Sequence, residues 1–250
     1  MWWFIPAAVI CFLMVHAAKM IRMYLVLMEH KIGFNRFLLL YCKTTFVNLV
    51  IPFKLGELYR VFAIGRATGI WQVGILSVFI DRFFDLAALC LVLLPLDFFF
   101  FKEISFITWL FLGIILAIAG IYLSIKPTYR YLNKYIIKEK NSKRSMAVLK
   151  GLDIVNDWYE FTRNLVRGRF ALIFLASLAG WVFEILTLKA LAGFFAVSFG
   201  IASFSQYIKS IFMLGESSIG RTYTLAGAVV FLAFSVVGQL IAMAKRQKRS

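Results

Sequence analysis

Acidic residues, cysteines, prolines and histidines are all scarce in this sequence. Asp and Glu number 12 in 250 residues, and charged residues of both signs make up only 16%, against about 25% in soluble domains. So little charge excludes a disordered chain and an ordinary soluble enzyme. The three cysteines, Cys11, Cys42 and Cys90, lie in apolar runs without a CxxC pair. They read as small buried apolar residues rather than as redox or metal groups. The two histidines, His16 and His30, have no helical ligand spacing, so no metal site is expected. No P-loop, HExxH, DxD or Ser-His-Asp constellation occurs, and no cofactor is expected.

What is abundant is apolar surface. Hydrophobic residues are 62% of the chain, and 27 of them are Phe. A water-soluble domain of this size could not hide so much apolar surface, so the bulk solvent is lipid. A helix needs about 20 apolar residues to cross roughly 30 Å of hydrocarbon. Segments 2–18 (extending toward Met28), 71–101, 104–125 and 222–244 meet that demand. Segment 170–197 also does, although it carries Glu184 and Lys189. The expected fold is an all-α integral membrane protein of about five spanning helices, forming one polytopic domain over residues 1–250. The first segment lacks a basic n-region and a cleavage site, and reads as a retained span rather than a signal peptide.

Two further stretches are too short or too polar to span. Residues 37–51 contain Lys43, Thr44, Thr45 and Asn48 before Pro52; residues 204–214 contain Ser205, Gln206, Lys209 and Ser210 before Gly215. Each reads as a re-entrant half-helix, tolerated where its backbone is buried in protein or faces a wet cavity. Basic residues set the topology. Of 28 Lys and Arg, 22 fall in 19–36, 54–66, 126–169 and the C-terminal 245–249. The positive-inside rule places those four groups in the cytoplasm, with the N-terminus outside and the C-terminus cytoplasmic in a multi-pass cell-membrane protein. The stretch 126–169 reads as a cytoplasmic basic loop. In it Val148, Leu152, Val155, Tyr159 and Val166 recur at helical spacing, as in an amphipathic helix at the headgroup level. The net charge of +16 is spread along this rim rather than interleaved with stacking aromatics. Anionic lipid is therefore the expected partner, and nucleic acid is not.

Ionisable groups at bilayer depth are costly and mark candidate sites. Asp81, Arg82 and Asp85 lie close together in one span. Arg82 and Asp85 are one turn apart, and Asp81 and Asp85 can flank the guanidinium. A structural ion pair and a polar site facing an interior cavity are both open. In Pro52-Phe53-Lys54-Leu55-Gly56-Glu57-Leu58-Tyr59-Arg60, Pro52 stops the preceding half-helix and Gly56 permits a sharp turn. Lys54 and Arg60 could hold a phosphate, or the stretch is an ordinary capped turn. Tyr41-x-Lys43-Thr44 followed by Gly56-Glu57 and Arg60 has an echo in Tyr207-x-Lys209-Ser210 followed by Gly215-Glu216 and Arg221. Interrupted segments at corresponding places in two halves point to a transporter site, and a chance match explains the echo as well. A second-half site would draw on Glu184, Lys209, Glu216 and Arg221.

The run Asn48-x-x-x-Pro52-x-Lys54-x-Gly56-Glu57-x-x-Arg60, then Gly65-Arg66-x-x-Gly69, then Asp81-Arg82-x-x-Asp85, resembles the signature of the lysylphosphatidylglycerol synthase transmembrane, or flippase-like, family. Ser177-x-x-x-Trp181 fits it more weakly. The resemblance implies movement of a lipid or lipid-linked sugar between leaflets, or a subunit of such a system. Lys54, Arg60 and Arg82 would draw an anionic phosphate, and Asn48, Glu57, Asp81 and Asp85 would complete a wet groove. The implied partners are an anionic phospholipid or a polyprenyl-phosphate-linked sugar, with a homo-oligomer or a partner enzyme left open. Two departures stand out: the family commonly has one more span before the position of Met1, and its second-half loop is richer in Pro and Gly than Gly215-Glu216-Ser217-Ser218-Ile219-Gly220-Arg221. No soluble aminoacyl-transferase domain follows, so lipid aminoacylation is not expected of this chain. The alternative is a non-catalytic membrane partner of a glycosyltransferase or lipid-modifying enzyme.

Overall fold

A computed structural model describes residues 3–30, 32–51, 55–139, 143–211 and 216–247. Every regular element among them is a helix: α1 (Phe4–Leu27), α2 (Phe34–Val50), α3 (Leu55–Thr68), α4 (Trp71–Leu96), α5 (Phe106–Glu139), α6 (Lys143–Val166), α7 (Phe170–Phe194), α8 (Ile201–Ile211) and α9 (Ser218–Gln247). Five stretches are long and apolar enough to cross a membrane: Phe4–His30, Trp71–Phe100, Phe106–Ile136, Phe170–Phe194 and Ser218–Ile241. These are the five segments expected from hydropathy, so the chain is an all-α, multi-pass membrane protein.

Its burial pattern is inverted relative to a soluble protein. On α1, Val9, Ile10, Leu13 and Ile21 are exposed, whereas Arg22 on the same helix is 2% exposed. Water as solvent would favour the reverse, because burying an ion without burying the adjacent alkyl surface forfeits both terms. Lipid favours this arrangement, since polar groups must then find partners inside the protein.

The chain forms two compact units, one of residues 1–81 and 175–250, the other of residues 82–174. In the first, α2 packs on both α3 and α9. The contact with α3 is made through glycine. A Cβ on Gly56 would fall 2.4 Å from Asn48 Cα, so only glycine lets the two backbones approach. Gly56 lies inside α3 rather than in a turn, which corrects the sequence expectation: its missing side chain serves packing, not chain reversal. The α3–α4 corner repeats the device. A Cβ on Gly74 would fall 2.3 Å from the Val61 carbonyl. Gly69, at φ +75°, supplies the left-handed residue that ends α3. Pro52, Lys54 and Gly215, to which the sequence reading gave roles, lie outside the described residues.

In the second unit the stretch 126–169 is not a loop. Helix α5 continues to Glu139 through Pro127, and its 34 residues extend roughly 51 Å at 1.5 Å per residue. Helix α6, where the amphipathic pattern was read, pairs with that continuation. Lys126 ion-pairs with Glu160. Tyr129 Oη donates to Asp153 Oδ1 at 2.9 Å, and the Tyr122 and Tyr159 rings lie 4.8 Å apart. Charge counting could not see this, because it reads a basic stretch as rim without asking whether its few acids have helical partners. At the other end of α5, Asp97 is buried and fastens the turn after α4: its Oδ2 accepts from Ser105 N at 2.9 Å and Thr108 Oγ1 at 2.6 Å.

Candidate functional site

The site is built around one stripe of α1. His16, Lys19 and Arg22 fall at i, i+3 and i+6, so they stack on one face about 4.5 Å apart along the axis. Each meets partners from other helices of the first unit. Arg22 Nε donates to Asp81 Oδ1 of α4 at 2.6 Å, and its Nη1 donates to Ser177 Oγ of α7 at 3.0 Å. Lys19 Nζ donates to Glu184 Oε2 of α7 at 2.6 Å. Tyr207 of α8 gives its hydroxyl proton to the other oxygen of Glu184. His16 Nδ1 lies 3.1 Å from Tyr41 Oη of α2, and that hydroxyl donates to the His16 carbonyl at 3.2 Å.

Helix α3 completes the lower step. Arg60 Nη1 donates to Asp81 Oδ2 at 2.7 Å, and Glu57 Oε2 stands 3.8 Å from the same nitrogen. Asn48 Nδ2 of α2 donates to Glu57 Oε1 at 3.1 Å. Asp81 therefore receives one guanidinium on each oxygen. These six ionised groups are three cations (Lys19, Arg22, Arg60) and three carboxylates (Glu57, Asp81, Glu184). Among the described residues each of these charges faces one of opposite sign, and pairing is what lets ions tolerate hydrocarbon depth.

Of the residues named from sequence, Asn48, Glu57, Arg60 and Asp81 are brought together. Glu184 sits on the neighbouring step with Lys19. Arg82 and Asp85 belong to the second unit and form a looser pair at 3.6 Å, with the Arg82 side chain 47% exposed. Asp81 takes a guanidinium from α1 and another from α3. The remaining second-half candidates do not enter the buried cluster. Lys209 is exposed, and Glu216 pairs with Arg221 at the surface with both side chains more than half exposed. The echo between the halves survives in its tyrosines, since Tyr41 and Tyr207 are both buried and hydrogen-bonded, and in the hydroxyl three residues on, since Thr44 Oγ1 and Ser210 Oγ donate to the Tyr41 and Tyr207 carbonyls.

Two residues of the site were missed. Lys19 and Arg22 were assigned to a cytoplasmic basic group, although they fall within the helical continuation of the first apolar segment. The signal that could have found them is their three-residue spacing from His16, which makes a polar stripe on an otherwise apolar helix. In this conformation Asp81 is 1% exposed and Ser177 1%, whereas the Lys19 side chain is 29% exposed.

The family described as Lysylphosphatidylglycerol synthase TM region matches residues 1–215. The chain belongs to that family. The match covers all of α1 to α8 and so every charged member of the buried cluster. No curated protein and no solved structure matches the chain.

Proposed function

We propose that this family member is a lipid translocase, moving an anionic phospholipid or a polyprenyl-phosphate-linked sugar between leaflets, alone or as a subunit. The observation that carries this reading is the charge-balanced cluster sunk among the spanning helices. Two guanidiniums converge on the Asp81 carboxylate, and a phosphodiester offers the same pair of acceptor oxygens. A headgroup can therefore take the place of Asp81 on Arg22 and Arg60 without ever leaving two cations bare. The two cations thus keep an anion throughout the exchange, while the acyl chains stay in lipid. Ser177 and Asn48 stand ready as neutral hydrogen-bonding groups beside the exchanging anions. No covalent bond is made or broken, so the protein is not an enzyme in this reading. Lys54, Arg82 and Asp85 take no part in the exchange step in this reading. We place the protein in the cell membrane with its C-terminus cytoplasmic.

The test is translocation of fluorescent phospholipids in proteoliposomes. Wild type is expected to scramble anionic lipids, and Arg22→Met, Arg60→Met and Asp81→Leu combined is expected to abolish scrambling with protein yield intact. Undiminished scrambling by the triple variant would refute the exchange. A second reading draws on the α5–α6 hairpin, whose exposed Tyr131, Ile154 and Val155 offer a surface to a lipid-modifying or glycosyl-transferring enzyme. Inert proteoliposomes that become active on adding such an enzyme would favour it.

A further inference from the structure

One step of the α1 stripe is left chemically unfinished. The His16 ring packs against Phe12 and Phe231, with centroids 4.5 and 4.4 Å away. Tyr41 has a single hydroxyl proton and gives it to the His16 carbonyl. His16 Nδ1 then carries the ring hydrogen and donates to Tyr41 Oη, which leaves Nε2 an acceptor. That Nε2 is buried and makes no hydrogen bond. Tyr223 of α9 packs edge-on against the same Phe12 at 5.6 Å and against Tyr207 at 6.3 Å. It is 6% exposed, and its hydroxyl also makes no hydrogen bond. Two buried polar atoms bordering one ring are thus left open, where protein interiors normally leave almost none.

The open atoms define the chemistry of what completes them. His16 Nε2 asks for a donor, and Tyr223 Oη can both donate and accept. A hydroxyl group supplies both roles, and the surroundings, Phe12 and Phe231, are apolar and aromatic, which suits the C–H groups of a polyol more than a second charge. An ammonium or a carboxylate is a poor match, because the adjacent ions, Lys19 and Glu184, already neutralise each other at 2.6 Å. We propose that His16 Nε2 and Tyr223 Oη form a receptor for the hydroxyl of a polyol, such as a glycerol, inositol or sugar group, borne on a phospholipid or free. The lipid-borne form rests on one part of the proposed function, the placing of a phosphate on Arg22 and Arg60, and not on movement between leaflets; the free form rests on neither.

The experiment is equilibrium binding to the purified full chain in detergent. The probes are phosphatidylglycerol, phosphatidylinositol, phosphatidylmethanol and free glycerol phosphate. Phosphatidylmethanol keeps the phosphodiester charge and lacks the hydroxyl. Wild type is expected to prefer the two hydroxyl-bearing lipids over phosphatidylmethanol by about tenfold, the worth of one or two hydrogen bonds. Tyr223→Phe, which removes an oxygen with no partner in the folded chain, is expected to erase that preference while leaving phosphatidylmethanol binding unchanged. Binding of glycerol phosphate with the same dependence on Tyr223 supports the site with a free source; its failure beside a preserved lipid preference supports the lipid source. Equal affinities in wild type, a preference untouched by Tyr223→Phe, or no binding of any probe overturns the proposal. Scrambling measured in parallel separates the two readings. Preference without translocation removes only the translocase, and translocation without preference removes only the receptor.

Discussion

Asp81→Asn is the sharpest perturbation the cluster allows. The change keeps the side-chain volume and removes one charge from a residue that holds two guanidiniums at 2.6 and 2.7 Å. Arg22 and Arg60, with side chains 2% and 11% exposed, would then lack their shared counter-ion. Breaking a buried pair from one side costs about 3–5 kcal/mol. For a chain of this size that corresponds to a fall in melting temperature of about 10 °C. Replacing these three groups by apolar residues, Arg22→Met with Arg60→Met and Asp81→Leu, removes both stranded guanidiniums and leaves Glu57, whose side chain is 16% exposed, with its hydrogen bond from Asn48; exchanging a buried ionic group for apolar residues is commonly neutral or stabilising. The triple variant should therefore recover most of the stability lost by Asp81→Asn and still fail to translocate lipid. Arg82→Met, at a 47% exposed position, should shift stability by less than about 1 kcal/mol. The assay is thermal unfolding in detergent followed by fluorescence-detected size exclusion. An Asp81→Asn protein as stable as wild type, or a triple variant less stable than the single one, would refute the reasoning.

Other outcomes follow from the same contacts. Gly56→Ala and Gly74→Ala each place a methyl within 2.4 Å of a backbone atom. Each should cost about 1–3 kcal/mol or more, read as lost yield and melting temperature, whereas Gly120→Ala, with open space around it, should be neutral. Glu160 is held below its ordinary carboxylate value of 4.5, chiefly by the hydrogen bond from Lys126, then by the charges of Lys126 and Arg163. A depressed carboxylate contributes above its unfolded value and ceases to contribute as pH falls through the folded one. The α5–α6 hairpin should therefore become more protease-sensitive within residues 143–166 only at pH below about 4.5, and Glu160→Gln should show the sensitive behaviour already at pH 7. Tyr207→Phe strips the hydroxyl from the Lys19–Glu184 step and should destabilise by about 1–3 kcal/mol.

The membrane class and all five spanning helices were legible because both depend on composition summed over some twenty residues, which a single sequence reports directly. The Gly56-Glu57-x-x-Arg60 run was legible as a motif, since its residues sit one helical turn apart and need no tertiary information. The reading failed where partners come from distant sequence. Arg22 meets a residue 59 positions away and another 155 positions away, and no spacing rule connects them. Asp81 was therefore given the nearest cation in sequence, Arg82, whereas adjacent residues on a helix point about 100° apart. Lys19 and Arg22 were misplaced for a different reason: the positive-inside rule counts charges near span ends without asking which face of the helix they occupy. Gly56 was misread because a glycine after a proline carries the same signature whether it bends the chain or admits a neighbouring backbone.

Translocation by the proposed exchange requires the buried cluster to open to water and headgroups, and Ser177 would report that opening. Ser177 is 1% exposed and bonded to Arg22. Ser177→Cys, in a background with Cys11, Cys42 and Cys90 replaced, can be challenged with a membrane-impermeant thiol reagent in proteoliposomes containing anionic phospholipid. The account predicts labelling on the timescale of lipid scrambling, with scrambling blocked once the thiol is modified. A thiol that stays unreactive while lipids continue to cross would contradict it.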